Sequence, residues 1–301
     1  MTKNKYLSFD IGGTHVKWGI LDEEGTIIKK DHFSSDDADG ETILKGLQEI
    51  ITEWQSSIKG IAISAPGFID PDKGYLEKGG AILAFDDFYL QKNIEEKFDL
   101  PVSIENDVNC VALAEQWLGK GKKLTDFICI TVGTGIGGAL ILNNQLYRGH
   151  SFRGGEFGYM ITQGVQTTIP VQGSLSTSAS VLGLRKKYAD YFNVPLKEVT
   201  GEIVFQAYDA QESVATQIVE TFYQSLAIGI YNITSVLNPE KILIGGGITE
   251  RPTFIKELEQ HLHYIDQVFN TRIDTCHFKN DAGLVGALAQ HLSKYQGVVT
   301  N

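Results

Sequence analysis

Apolar positions along the chain predict a series of strands and helices that starts over partway through. Residues 5–11 and 16–22 (KYLSFDI and VKWGILD) read as apolar strands around a Gly-Gly-Thr turn, and DEEGT turns the chain into a third strand at 25–30. The polar run SSDDADG at 34–40 predicts a loop. In ETILKGLQEIITEWQ (41–55), Ile43, Leu44, Leu47, Ile50, Ile51 and Trp54 share one helical face. IKGIAISAP (58–66) reads as a buried strand stopped by Pro66, PVSIEN (101–106) as a short strand, and DVNCVALAEQWLG (107–119) as a helix. The pattern then restarts. DFICITV (126–132) and GALILNNQLYRG (138–149) predict a strand pair and a hairpin turning at Asn143-Asn144. Residues 212–237 predict a long helix with Val214, Ile218, Phe222, Leu226 and Ile230 roughly in line, ended by Pro239. KILIGGG (241–247) is a strand running into a glycine turn, and 252–265 and 283–295 read as helices. No short-period repeat is present. The repeat is the size of a domain: LSFDIGGTHVKWGILD (7–22) is answered by CITVGTGIGGALILNN (129–144).

Bulk properties narrow the class. A chain of 301 residues is long for one core, so two lobes are expected. A net charge of −11 argues against non-specific binding to nucleic acid or an anionic membrane. A strand pattern from the first residues leaves no expected signal peptide, and the longest uncharged stretch, 127–145, is too broken by glycine and turn residues for a membrane helix. Three cysteines, Cys110, Cys129 and Cys276, form no CxxC, so no disulfide and a cytoplasmic home are expected.

The glycine turns carry the first chemical signal. A Gly-Thr turn between strands exposes backbone N–H groups with no side chains in the way, a concavity suited to anions. The first turn holds Asp10, Gly12, Gly13 and Thr14, and the second holds Gly133, Thr134, Gly135, Gly137 and Gly138. A carboxylate beside a phosphate makes sense only with a cation between them, and Mg²⁺ bound to Asp10 partly through water fits that role. Two such turns from two lobes would grip a triphosphate across a cleft. A third cluster, Gly245, Gly246 and Gly247, would let a flat base approach the backbone. Each turn alone could be a tight hairpin; all three together point to a nucleotide. Gly133, Gly135 and Gly138 also spell G-x-G-x-x-G, but a hairpin follows where a dinucleotide fold needs a helix. No G-x-x-x-x-G-K-[ST] loop is present.

A carboxylate completes the set. Asp107 falls at the start of the helix after PVSIEN, where aspartate often serves only as a cap. Phosphoryl transfer to an alcohol, however, needs one carboxylate to orient the hydroxyl and accept its proton, and the neighbouring Asn106 could bind adjacent hydroxyls.

At this point the chain resembles the ROK family of sugar kinases and related repressors. FDIGGTHVKWGI, SAPGFID, IENDVNCVALAE, VGTGIGGALILNNQLYRG, GGEFGY, NPEKILIGGGI and AGLVGAL occur in the family's order across essentially the whole chain. The resemblance implies an α/β, two-lobed, actin-like or ribonuclease-H-like ATPase fold, with lobes at 1–118 and 119–283 and the helix 284–296 packing back on the first. It implies ATP and transfer of its γ-phosphate to a sugar hydroxyl. Asp107 then becomes the general base, Asn106 and Glu156 sugar contacts, and Gly67 of SAPG a pocket-lining residue. Family habit implies a homodimer.

The departures are informative. Where the family carries G-E-x-G-H, with a histidine that binds sugar and often structural zinc, this chain reads GEFGYM and places Tyr159. The family's zinc loop, C-x-C-G-x-x-G-C-x-E, aligns with TQGVQTTIPVQGSLSTSAS at 162–180, which has no Cys or His, so no structural zinc is expected. Its closing glutamate is Ser176. The lost groups are those that hold the anomeric end of the sugar, whereas the reactive end is kept. The expectation is a kinase for the 6-hydroxyl of a glycoside or disaccharide such as a β-glucoside. The alternative is a free hexose or N-acetylhexosamine kinase (glucokinase, fructokinase or N-acetylmannosamine kinase). A sugar-responsive repressor would need a DNA-binding segment ahead of Asp10, and only nine residues precede it. Retention of Asp10, Asn106 and Asp107 argues against a non-catalytic sugar sensor.

Other residues have bland readings beside their functional ones. Lys17 could approach a phosphate or be a solvated strand lysine, and His15 is assigned no chemistry. Arg148 and Arg153 are either surface ion pairs or substrate contacts. Tyr159 packs, offers a hydroxyl, or stacks on a sugar ring. The cysteines read as small buried apolar residues. Asn232-Ile233-Thr234 fits a glycosylation sequon but lies inside a helix.

Overall fold

The computed structural model describes residues 3–164 and 170–297. In chain order it forms β1 (Lys5–Ile11), β2 (His15–Asp22), β3 (Ile27–Ser34), α1 (Gly40–Trp54), β4 (Ile61–Ala65), β5 (Phe68–Asp70), β6 (Tyr75–Lys78), α2 (Leu90–Phe98), β7 (Val102–Asn106) and α3 (Asp107–Trp117). Then come β8 (Phe127–Val132), β9 (Ile136–Leu142), β10 (Gln145–Tyr147), α4 (Leu175–Ala179), α5 (Val181–Phe192), α6 (Gly201–Asp209), α7 (Ser213–Leu237), β11 (Lys241–Gly245), α8 (Phe254–Ile265), β12 (Ile273–Thr275) and α9 (Ala282–Gln296). The chain divides into two compact units. One runs through Lys123 and takes in Asn144–Gly154 and the chain from Asn280 onward; the other comprises Leu124–Asn143 and Gly155–Lys279.

The first unit is built on a sheet of order β3-β2-β1-β4-β7, with β1, β4 and β7 parallel and β2 and β3 antiparallel additions. Every residue of β4 is buried, as a strand covered on both faces requires. Helix α1 is capped by Asp39, whose carboxylate accepts from Thr42 N at 2.8 Å, and buries Ile43, Leu47 and Ile51. Leu44, Ile50 and Trp54 of the predicted face are only partly buried against the same core. The third strand begins two residues later than its pattern suggests. Asp22 accepts from Glu24 N and Thr26 N, and Gly25 takes φ +85, so residues 23–26 are held in the turn.

Helix α9 packs against β1, β4, β7 and α3. Small residues make this possible: a Cβ at Gly286 would lie 1.8 Å from the Cys110 carbonyl oxygen. On the same helix, His291 is buried, its Nδ1 3.1 Å from Ser103 Oγ and its ring against Tyr6 and Tyr295. Burial pushes its pKa down to about 4. The folded imidazole therefore stays neutral where an unfolded histidine, with its ordinary value near 6.5, gains a proton. Stability falls as pH drops through that window. Between pH 7 and pH 5 this one group is expected to withdraw about 2 kcal/mol, read as the excess loss in urea unfolding over a His291→Gln variant. Equal losses in the two proteins would show that His291 is not the titrating group.

The second unit carries β9, β8, β11 and β12 side by side, with β8, β11 and β12 parallel and β9 antiparallel. Asn143 and Asn144 take φ 54 and 60, the left-handed pair a two-residue hairpin turn needs. Helix α7 buries Ala215, Val219, Phe222, Leu226 and Ile230, while Val214 and Ile218 of the predicted line are only partly covered. It stops at Asn238 in the left-handed conformation, one residue before Pro239. Helix α2, the β5–β6 hairpin and helices α4 to α6 follow no strong periodicity, and the sequence pattern assigns them no element. Thr234 of the sequon lies buried within α7, donating to Ile230 O. Among the described residues no helix is long and apolar enough to cross a membrane.

Candidate active site

In the first unit, the parallel strands β1, β4 and β7 end along one edge of the sheet. Asp10 pairs with Ser64, Ser64 with Glu105, and Ala65 with Asn106, so Asp10 and the Asn106-Asp107 corner lie two strands apart at that edge. With neighbouring strands about 4.8 Å apart, the two backbones stand roughly 10 Å from each other. Open α/β sheets bind ligands at such carboxyl ends.

Asp10 is firmly held. Ser64 Oγ donates to its Oδ1 at 2.8 Å, and Lys17 Nζ lies 3.4 Å from its Oδ2 and 3.2 Å from the Asn280 carbonyl oxygen. Lys17, its side chain 40% exposed, is thus Asp10's ion-pair partner. The carboxylate also rests on the first turn of α9: a Cβ at Gly283 would lie 2.3 Å from Asp10 Oδ1. The glycine of AGLVGAL therefore makes room for Asp10. In the turn itself Gly12 N donates to His15 O, and Thr14 and His15 are exposed, His15 lying edge-on to His32. Among the described residues no cluster of three acidic, His or Cys side chains could cage a metal ion. A single carboxylate suits Mg²⁺ that keeps most of its waters and phosphate oxygens as ligands.

At the other end of the edge, the helix cap is Asn106 rather than Asp107. Its Oδ1 accepts from Val108 N at 2.9 Å and Asn109 N at 3.1 Å, while its Nδ2 donates to Gly67 O at 3.0 Å. Asp107 is the first helical residue, and its Oδ1 also accepts from Val108 N at 2.9 Å. Gly67 cannot be replaced cheaply: it takes φ +103, and a Cβ there would lie 1.9 Å from Lys78 O. Behind this corner Arg148 pairs with the buried carboxylate of Glu105. Arg148 thus forms an ion pair, as one of its two readings had it, but with a buried carboxylate rather than at the surface. Arg153 does form a surface pair, with Glu77, and stacks over Phe68 at 4.7 Å.

In the second unit, the glycine turns lie at neighbouring strand ends, since Gly245 of β11 pairs with Thr131 of β8. The Gly133–Thr134–Gly135 turn is closed by Gly133 N donating to Gly135 O, and Gly133 O accepts from Val181 N at the start of α5. Positions 133 and 247 face open space, with no atom within 4 Å of where a Cβ would stand, whereas Gly246 takes φ +97 and its Cβ would strike Val132 O at 2.3 Å. Glu156 is partly exposed at the head of the 3₁₀ turn Phe157–Tyr159. That turn packs on β9: a Cβ at Gly138 would lie 2.1 Å from the Phe157 ring. Tyr159 is 63% exposed, so it does not pack. Ser176 accepts from Ile136 N at 2.9 Å and lies under the second glycine turn, an internal brace where the family has a sugar-binding glutamate. Residues 165–169 of the segment aligned with the zinc loop lie outside the described residues. The three cysteines are buried and form no disulfide with one another.

Sequence patterns missed Ser64, Glu105 and Gly283. A lone serine inside IAISA and two glycines in AGLVGAL were the available signals, but only strand register and helix packing give them partners.

Two mixed α/β units, each with a glycine turn at the head of an antiparallel strand pair, define an actin-like ATPase fold. The ROK family model matches residues 6–293, and the chain belongs to that family. It is similar to the β-glucoside kinase of Listeria monocytogenes, 43% identical over 290 residues that cover 96% of this chain and 98% of the relative. Among solved structures, the Lmo2764 protein of Listeria monocytogenes, described as a proposed N-acetylmannosamine kinase, superposes with a TM-score of 0.93 at 43% identity, covering 96% of this chain and 99% of that one. A ROK family protein from Streptococcus pneumoniae TIGR4, solved in complex with sucrose, gives 0.87 at 29% identity, covering 97% and 99%.

Proposed function

We propose that this protein is an ATP-dependent sugar kinase that transfers the γ-phosphate to the 6-hydroxyl of a β-glucoside. The observation that carries the reading is the sheet edge of the first unit, which puts Asp10 beside the first glycine turn and Asp107 two strands away. Asp107 orients the sugar hydroxyl and accepts its proton as the oxygen attacks phosphorus. Asn106, fixed by its cap, turns the remaining proton of its Nδ2 to a neighbouring hydroxyl. Gly67 lines the pocket, and Glu156 and Tyr159 serve the sugar from the second unit. Gly12, Gly13 and Thr14, together with Gly133, Thr134 and Gly135, serve the phosphates, and Gly245, Gly246 and Gly247 the base. Asp10 would hold Mg²⁺ through water, and the ion would neutralise charge on the phosphate oxygens.

Two things favour a glycoside over a free sugar. Ser176 is turned inward to Ile136 N, and Tyr159 stands where the family has histidine, so these positions offer neither a carboxylate nor an imidazole to a free anomeric hydroxyl. The relatives also include a β-glucoside kinase and a protein bound to a disaccharide. The description of the Lmo2764 protein favours the competing reading, an N-acetylhexosamine kinase. ADP release with Mg-ATP across cellobiose, methyl β-glucoside, glucose and N-acetylmannosamine decides between them. The expected result is kcat/KM for cellobiose at least ~30-fold above that for glucose, about the discrimination one pocket contact of ~2 kcal/mol provides. A preference for glucose or N-acetylmannosamine would overturn the glycoside assignment and keep the kinase. We further propose a cytoplasmic homodimer, in keeping with three buried cysteines that form no disulfide and with family habit.

A further inference from the structure

Glu105 is 1% exposed and sits immediately before Asn106 and Asp107. Each of its oxygens has defined work. Oε1 accepts from Asn106 N and from Asn109 Nδ2, both at 2.9 Å, so it braces the strand end and the first turn of α3 together. Oε2 accepts from Arg148 Nε at 2.8 Å and lies 2.6 Å from Nη2 in the ion pair. Arg148 reaches on to Gln290 Oε1 of α9 at 3.0 Å. Its own backbone is fixed as well, because Arg148 O accepts from Gly154 N at 2.8 Å and closes the segment 148–154. A carboxylate taken this far out of water stays in place only while its cationic partner remains.

We propose that Arg148 is a positioning residue for phosphoryl transfer. It holds Glu105 in place, and Glu105 in turn fixes the backbone from which Asp107 projects. The inference rests on the sugar-kinase reading above, and it assigns Arg148 a role exerted through Glu105. Removing the guanidinium leaves a buried carboxylate without a countercharge, and Glu105 then swings toward water. That movement loosens the Asn106 N and Asn109 contacts and lets Asp107 drift from the attacking hydroxyl. A displacement of about 1 Å at such a group lowers turnover on the order of a hundredfold.

The test compares Arg148→Met, Arg148→Lys, Glu105→Gln and the double variant Glu105→Gln/Arg148→Met in steady-state kinetics with Mg-ATP and cellobiose. Wild-type turnover is measured first, and its absence removes the kinase reading itself. Arg148→Met is expected to lower kcat about 50-fold with both KM values within about threefold, the split of an interaction that matters in the transition state only. Arg148→Lys, which restores the charge without the fork, is expected to recover about a tenth to a third of wild-type kcat. The double variant is expected to exceed Arg148→Met, because it removes the stranded charge along with its partner. If Arg148→Met does not fold, Arg148→Lys decides alone: a tenth to a third of wild-type kcat at unchanged KM supports the proposal, and a kcat within twofold of wild type overturns it. A kcat within twofold of wild type in Arg148→Met, a loss carried by KM, or a double variant no better than the product of the single effects would overturn the proposal.

Discussion

Asp107→Asn is expected to lower kcat about a thousandfold, within the range that a positioned general base contributes. The substitution is nearly isosteric, and an asparagine Oδ1 accepts from Val108 N as the aspartate does. The helix cap lies on Asn106, so α3 keeps its start. Binding is therefore expected to survive, with KM for sugar and nucleotide within about threefold and the unfolding midpoint within about 2 °C, since no packing or burial changes. An amide cannot take the hydroxyl proton at neutral pH, so the loss falls on the chemical step. Turnover within tenfold of wild type, measured by ADP release, would remove Asp107 as the base and leave the reaction without a proton acceptor at this edge.

Valine at position 133 is expected to separate nucleotide binding from folding. Gly133 lies outside the left-handed region, and no atom lies within 4 Å of where its Cβ would stand, so the second unit accommodates the side chain. In the proposed function, that open space is where a phosphate would approach the turn. Gly133→Val is expected to reduce kcat/KM for ATP about a hundredfold, or ~3 kcal/mol of transition-state binding, with the unfolding midpoint kept within about 2 °C. Gly246→Ala makes the contrast. Its φ of +97 and the approach of Val132 O to 2.3 Å mean that even a methyl group strains the fold. A stability loss of about 3 kcal/mol, roughly 6 °C in midpoint for a chain of this size, is expected there before any question of binding arises. If Gly133→Val binds and turns over ATP normally, the second turn is a tight hairpin and no phosphate ligand.

Local pattern determined a good deal in this chain. The strand periodicity around each Gly-Thr turn, the amphipathic face of α1 and the Asn-Asn hairpin are set by neighbours in sequence, and those are the elements that appear where the pattern puts them. Helices α4 to α6 were not legible. Their buried positions, such as Leu175, Leu184 and Val204, are few in short helices and are selected by packing against the core of the second unit. Boundaries also moved where a side chain captured the backbone, as Asp22 does in delaying β3.

The residue types of the site could be read as well, because a carboxylate at an apolar strand end and glycines in a turn are exceptions to the local rule. Their partners could not. Ser64 meets Asp10 across 54 positions, Arg148 meets Glu105 across 43, and Gly283 meets Asp10 from the far end of the chain. Parallel strand pairing and the seating of α9 create these contacts, and both depend on long-range closure that no short window of sequence encodes. Sequence alone thus supplied the reactive groups and the glycine turns, while the tertiary structure decided which groups hold them still.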